Sequence, residues 1–211
     1  MTDAAVAALV ERGDPDRWRA AMTAPPAARP GLMAIYAFNL EIARAPWVAS
    51  DPILADLRLR WWLDAVDEIY DGRPPRHHEV VEPLAAAIRE GDLPHRLFEE
   101  MVAARAGDAG QGPRADRAAL DLYVDHTAGH LMELAARYLG AEGAALPVVR
   151  DFARGAGTAA LLRALPALRA RGRDPLPPEV DVAAFARDGR AALARARSHR
   201  DRVPARAAPA L

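Results

Sequence analysis

The chain contains no cysteine and no lysine: of its 211 residues 28 are basic, and every one is arginine. The first absence excludes disulfides, thiolate nucleophiles and cysteine zinc sites. The second excludes a lysine Schiff base and a lysine general base. Aromatic residues are scarce, at 6%. No apolar run approaches the ~20 residues that a membrane-spanning helix needs. The opening Met1-Thr2-Asp3-Ala4-Ala5 is acidic and lacks a basic-then-apolar signal pattern. A cytoplasmic protein is therefore expected, at most peripheral to the inner membrane. The net charge is −1, which gives no general attraction to nucleic acid or anionic lipid, and no nucleic-acid partner is expected. Strictly alternating β-branched runs are missing too, so a sheet has little to build on.

What the chain does have is alanine, leucine and arginine in quantity, within an apolar fraction of 51%. These side chains lose little rotamer freedom in a helix. The length suits one substantial core, and no repeat or second domain is visible. Residues 1–211 read as a single domain with a core of about 14–198 and a tail over 199–211.

Proline and glycine punctuate the helical stretches. A first helix over 2–12 stops at Gly13-Asp14-Pro15-Asp16, and Asp16 suits the N-cap of a second helix to residue 24. A third spans 32–44, ended by Pro46. Asp51-Pro52 opens the next, to residue 71, with Leu59, Trp62, Val66 and Ile69 forming its apolar stripe. Shorter helices follow over 78–90 and 94–105, then a loop over 107–113. A long helix over 116–139 carries Tyr123, Thr127, Leu131, Leu134 and Tyr138 on one face. Two more span 147–171 and 182–197. The fold class is all-α, with a central apolar space between the helices over 32–44, 52–71, 116–139 and 147–171. Tyr36, Phe38, Trp62, Tyr123 and Leu131 are expected to be largely buried. Trp61 and Trp62 cannot both face one core, so one belongs at a rim.

Tyr36-Ala37-Phe38, followed by Leu57-Arg58-Leu59-Arg60-Trp61-Trp62, resembles the start of the squalene/phytoene synthase family. A second match runs from Leu161-Leu162-Arg163 through Gly172-Arg173 to Leu176-Pro177. The resemblance covers roughly residues 14–177. It implies a single-domain helical bundle of the isoprenoid synthase type, here shortened at the C-terminus. It also implies an enzyme that ionises prenyl diphosphates with Mg²⁺ held by two aspartate clusters on facing helices. In register, the first cluster falls on Ala43, Arg44 and Trp47, and the second on Ala164 and Leu168. None of these side chains is a magnesium ligand. The family's tyrosine before Leu-Pro is replaced by Asp174 or Pro175. Asn39-Leu40-Glu41 agrees better with a complex I assembly factor branch of the family, which also lacks intact clusters.

The resemblance nominates Tyr36, Phe38, Arg58, Trp62, Tyr123, Gly129, Arg163 and Arg173 as pocket-lining or ligand-binding residues. Gly129 would let a neighbour or prenyl chain approach the backbone, and the three arginines would meet an anionic head group or pair with carboxylates. The acidic group Asp64, Asp67, Glu68 and Asp71 reads as a solvated face paired with arginines. Asp121 and Asp125, four apart, are the weak alternative for a displaced magnesium site. His126 and His130 are also four apart and read as surface or pocket-edge side chains, with Glu133 or Asp125 as the nearest third metal ligand. No catalytic residue, metal or cofactor is assigned, Mg²⁺ entering only if the chain is an active prenyltransferase. The leading reading is a non-catalytic assembly or lipid-binding factor, with a protein partner or a prenyl or other lipid ligand. An incomplete C-terminal wall would leave an open apolar groove for self-association, a protein or a membrane surface.

Overall fold

In a computed structural model, residues 2–48, 52–108 and 112–211 are described, and they form helices and turns with no strand among them. The helices are α1 (Thr2–Gly13), α2 (Pro15–Met22), α3 (Arg29–Val48), α4 (Pro52–Tyr70), α5 (Val81–Gly91), α6 (His95–Ala106) and α7 (Arg117–Val124). A π-helical segment, Asp125–Gly129, joins α7 to α8 (His130–Tyr138), and α9 (Ala145–Arg169) and α10 (Val182–Ser198) follow. Short 3₁₀ turns, Arg200–Arg202 and Ala205–Ala210, complete the chain.

Local chemistry sets most boundaries. Asp116 accepts the Ala119 amide at 2.8 Å, and Asp181 accepts those of Ala183 and Ala184 at 2.8 and 3.1 Å. Each carboxylate satisfies amides that a first helical turn leaves unpaired. The N-cap of α2 is Asp14, not Asp16: it accepts the Arg17 amide at 3.1 Å, and Pro15 takes the first helical position. Gly72 and Gly172, with φ of 73° and 74°, reverse the chain after α4 and α9 in the left-handed region that glycine tolerates. The expected cap Asp51 lies outside the described residues.

Helix α3 is the hub. Residues 31–40 are all buried, and α1, α4, α5, α6 and α8 pack around it. Phe38 lies edge-on to Trp62 and Phe98, with ring centroids 5.6 and 5.4 Å away. Trp62 faces inward; Trp61 sits at the rim, under the Arg76 guanidinium at 5.1 Å. Tyr36 and Leu131 are buried as expected, whereas Tyr123 is only partly buried.

Three expectations are corrected. Pro46 does not end α3, which continues to Val48. The proline donates no hydrogen bond, but Arg173 donates to its carbonyl at 3.3 Å and stacks on Trp47 at 4.1 Å, so tertiary contacts hold the last turn. Helix α4 packs against α3 and α6 and does not face the central cavity. The tail, expected to leave an open groove, instead folds onto the body: Val203, Ala207 and Ala210 are buried, and the last turn packs on α2 and α8. The larger exposed apolar side chains are Ile53, Leu54 and Leu57 on α4, with Leu122 and Val182 elsewhere.

Candidate functional site

A cavity of about 320 Å³ opens between α3, the end of α6, the loop after it, the α7–α8 segment and α9. One side is apolar, with Val124, Leu131, Leu161, Ala164 and Leu168 on its wall. Close backbone packing shapes this side. A Cβ on Gly157 would lie 2.6 Å from the Ala128 Cβ and 2.9 Å from a Val124 methyl, so α9 meets the π segment more closely than a side chain allows.

The other side carries charge. Arg105 donates to the Tyr123 hydroxyl at 2.9 Å and to Asp108 at 3.3 Å, and the same hydroxyl donates to Asp108 at 3.0 Å. Arg114 pairs with the second Asp108 oxygen and stacks 4.0 Å above the Tyr123 ring. Arg173 donates to the Asp108 carbonyl at 2.7 Å. Burial raises the Tyr123 pKa, Arg105 opposing and Asp108 adding to the shift, so the group stays a neutral hydroxyl. Among the described residues, two buried polar atoms of side chains on this wall have no hydrogen-bond partner: Arg105 Nε and Asn39 Oδ1.

Of the residues nominated from the sequence, Tyr123 and Arg173 line this cavity. Tyr36 and Phe38 belong to the core instead; burial pushes the Tyr36 hydroxyl up to about 12, with Arg17 opposing. Arg58 and Trp62 border a separate hollow of about 530 Å³ with Glu41, Arg44 and His78. Arg163 is exposed on α9. Gly129 is buried, but what approaches it is the Arg150–Asp125 pair: a Cβ there would lie 2.7 Å from both side chains. Arg105, Asp108 and Arg114 were not singled out from the sequence, and Asn39 was quoted only as part of the Asn39-Leu40-Glu41 motif. The first three meet around Tyr123 at spacings that follow no helical period, which carries no pairing signal.

The alternative metal ligands are engaged elsewhere. Asp121 pairs with Arg117 and Arg154 at 3.1 and 3.2 Å, and Asp125 with Arg150 at 2.9 Å. Glu68 holds Arg76 at 2.8 Å and Asp67 meets His95 at 2.8 Å. None of the four lines the cavity.

His130 is buried rather than at a surface or pocket edge, because the π segment turns it toward α6. Glu100, not Glu133 or Asp125, is the carboxylate beside both histidines, 2.5 Å from His130 Nε2 and 3.9 Å from His126 Nε2. Arg150 donates to His130 Nδ1 at 2.7 Å. A guanidinium only donates, so neutral His130 carries its proton on Nε2 and gives it to Glu100. That hydrogen bond occupies the nitrogen a metal would need, and Arg150 opposes a cation nearby.

The sequence profile described as squalene/phytoene synthase matches residues 10–210. The chain belongs to the squalene/phytoene synthase family. It is 26% identical over 180 residues to NADH dehydrogenase (ubiquinone) complex I, assembly factor 6 of Bos taurus, covering 85% of this chain and 54% of that protein. It is 31% identical over 118 residues to the corresponding homolog of Dictyostelium discoideum, covering 56% of this chain and 33% of that protein. The chain thus spans about half the length of the bovine relative. Squalene synthase HpnC from Alicyclobacillus acidocaldarius shares the fold at a TM-score of 0.84 and 15% identity, over 99% of this chain and 87% of that one. A dehydrosqualene synthase does so at 0.77 and 15% identity, over 96% and 75%.

The positions which the sequence resemblance assigns to the two aspartate clusters fall mostly at the cavity. Ala43 and Trp47 from α3, and Ala164 and Leu168 from α9, all line it, while Arg44 points to the neighbouring hollow. A methyl group, an indole and an isobutyl group offer no oxygen to Mg²⁺. The carboxylates that do line the cavity, Asp108 and Asp174, are held by Arg105, Arg114 and Arg169. This donor set does not fit Mg²⁺.

Proposed function

We propose that this chain is a non-catalytic member of the squalene/phytoene synthase family that works as an assembly or lipid-binding factor, with respiratory complex I as its client. The observation that carries this reading is the pair of cavity walls on which Ala43 and Trp47, and Ala164 and Leu168, stand where the resemblance calls for magnesium-binding aspartates. Ionising an allylic diphosphate builds charge on the leaving group, and divalent metal supplies the principal electrostatic stabilisation. Without carboxylates on either wall that term is lost, while the fold and its cavity are kept.

The names of the animal and Dictyostelium relatives support the assembly role, and the retained cavity supports a prenyl or other lipid ligand. Exposed Ile53, Leu54 and Leu57 on one helix support contact with a protein partner, a second copy or a membrane surface. No described helix is long and apolar enough to cross a membrane; a cytoplasmic protein with peripheral attachment is our reading of location. No cofactor is required.

Deleting the gene in its host and following the NADH dehydrogenase complex on native gels tests the role. Loss of the assembled complex, restored by the wild-type chain and equally by a Glu68→Gln variant outside the cavity, is expected. Normal assembly without the gene would overturn the client assignment.

A further inference from the structure

On the first two turns of α4, Ile53, Leu54 and Leu57 are 66%, 50% and 57% exposed. Leu54, Arg58 and Trp61 follow one another at steps of four and three, and Leu57 and Trp61 at a step of four. Residues so spaced share a helix face, so the exposed apolar stripe runs on to Arg58 and Trp61. These two residues border the hollow of about 530 Å³, which Glu41 and Arg44 of α3, Trp62 and His78 also line. The hollow shares no lining residue with the central cavity.

The hollow is a place for an anion. Arg44 and Arg58 are exposed and have no carboxylate partner among the described residues. Glu41 is the one carboxylate among the described lining residues, so the hollow carries an excess of one positive charge. On the far flank of α4, Asp56 and Arg60 stand four apart and offset each other. His78 accepts the Val80 amide on Nδ1 at 3.1 Å, so its neutral ring holds the proton on Nε2 and is a further donor. Trp61 is fixed at the rim between His78, with ring centroids 5.3 Å apart, and the Arg76 guanidinium at 5.1 Å. Aliphatic side chains thus stand outermost, with indole, imidazole and guanidinium groups behind them. A bilayer surface presents the matching order, acyl chains and then anionic headgroups. Three side chains on two turns offer well under the roughly 800 Å² that each partner gives to a stable protein interface, which argues against a second copy here.

We infer that the start of α4 docks on an anionic phospholipid surface, with Ile53, Leu54 and Leu57 among the acyl chains and one headgroup phosphodiester in the hollow between Arg44 and Arg58. The inference rests on the reading of peripheral attachment and adds the face and the lipid chemistry. A phosphodiester bears a single negative charge, which matches the excess in the hollow. Guanidinium groups suit its oxygens because their donors lie in a planar fork. The net charge of −1 gives the whole chain no pull toward anionic lipid, so the attraction is local to this face. Trp61, amphipathic and at the rim, sits at headgroup depth, where its ring touches acyl chains and its N–H meets polar groups.

The test is sedimentation of the full chain with vesicles of phosphatidylcholine and phosphatidylglycerol at about two to one, beside pure phosphatidylcholine, at low and high salt. Binding to the mixed vesicles is expected to be at least about tenfold tighter than to the pure ones and to weaken in salt. Leu54→Gln with Leu57→Gln should weaken it at least about tenfold, by removing the inserted side chains. Arg44→Gln with Arg58→Gln should weaken it roughly tenfold and abolish the preference for the mixed vesicles. Arg190→Gln with Arg197→Gln, exposed arginines on α10, should change it by less than about twofold. Circular dichroism checks that each variant remains helical. Binding that ignores the leucine pair, or that falls as much with the α10 pair as with Arg44 and Arg58, would overturn this face and leave peripheral attachment standing. No binding to either vesicle would overturn the attachment as well. A dimer that the leucine pair dissolves, seen by sedimentation velocity without vesicle binding, would give the stripe to a second copy and overturn the inference.

Discussion

His130 lies between Glu100 and Arg150, which together fix its tautomer, and His126 and Asp125 also face it. Burial pushes its pKa below the ordinary 6.5; the Glu100 hydrogen bond opposes the shift and the Arg150 charge reinforces it. A depressed folded pKa means that the unfolded chain takes up the proton first as pH falls. The stability tied to neutral His130 is therefore complete above 6.5 and is lost as pH drops from there through the lower folded value. Urea midpoints measured from about pH 8 to about pH 5.5 should fall on acidification, and more steeply in the wild type than in His130→Gln. Equal slopes would show that this histidine is not the group responsible. Asp108 is the second residue with a large expected effect. Its side chain, 12% exposed, is the only carboxylate paired with Arg105 and Arg114 among the described residues. Asp108→Asn leaves two partly buried cations facing each other, and a loss of about 2–4 kcal/mol in denaturant unfolding is expected, below the full value for a buried pair. A loss below about 1 kcal/mol would mean that water already screens the cluster.

At the scale of elements, the close contact of α9 with the π segment depends on Gly157, and that with α10 on Gly155 and Gly189. A methyl group on Gly157 collides with side chains fixed on a neighbouring helical segment, so Gly157→Ala should cost about 1–3 kcal/mol and alter the cavity wall. Thermal melting checks this; an unchanged midpoint would show that α9 can move away freely. Most of these elements were legible in the sequence. Apolar spacing and the Asp116 and Pro52 signals located their helices, since such signals act within one or two turns. What stayed hidden depends on distant partners. The continuation of α3 past Pro46 needs Arg173, which lies 127 positions away. The pairing of His130 with Glu100 spans 30 positions and needs the extra residue of the π segment to aim it. Asp14 displaced Asp16 as a cap because proline at the first helical position decided the start.

For the whole molecule, two spaced motifs were enough to indicate the family and its helical fold. Of the positions which that resemblance assigned to the aspartate clusters, Ala43, Trp47, Ala164 and Leu168 line one cavity, and Arg44 borders the neighbouring hollow. The polarity of that cavity was not legible, because Arg105, Asp108 and Arg114 come together around Tyr123 with no helical spacing to signal it. The C-terminal residues likewise read only as a tail outside the core, yet Val203, Ala207 and Ala210 are buried against the body. The resulting picture is a helical fold whose cavity has an apolar side, with Ala164 and Leu168, and a charged side on which Arg105 and Arg114 hold Asp108. Its central claim is that this cavity does not ionise a prenyl diphosphate. The most direct test is incubation of the purified full chain with farnesyl diphosphate and Mg²⁺, following diphosphate release over time. Release indistinguishable from buffer is the predicted result. Release that rises with both protein and Mg²⁺ concentration, well above buffer, would contradict it.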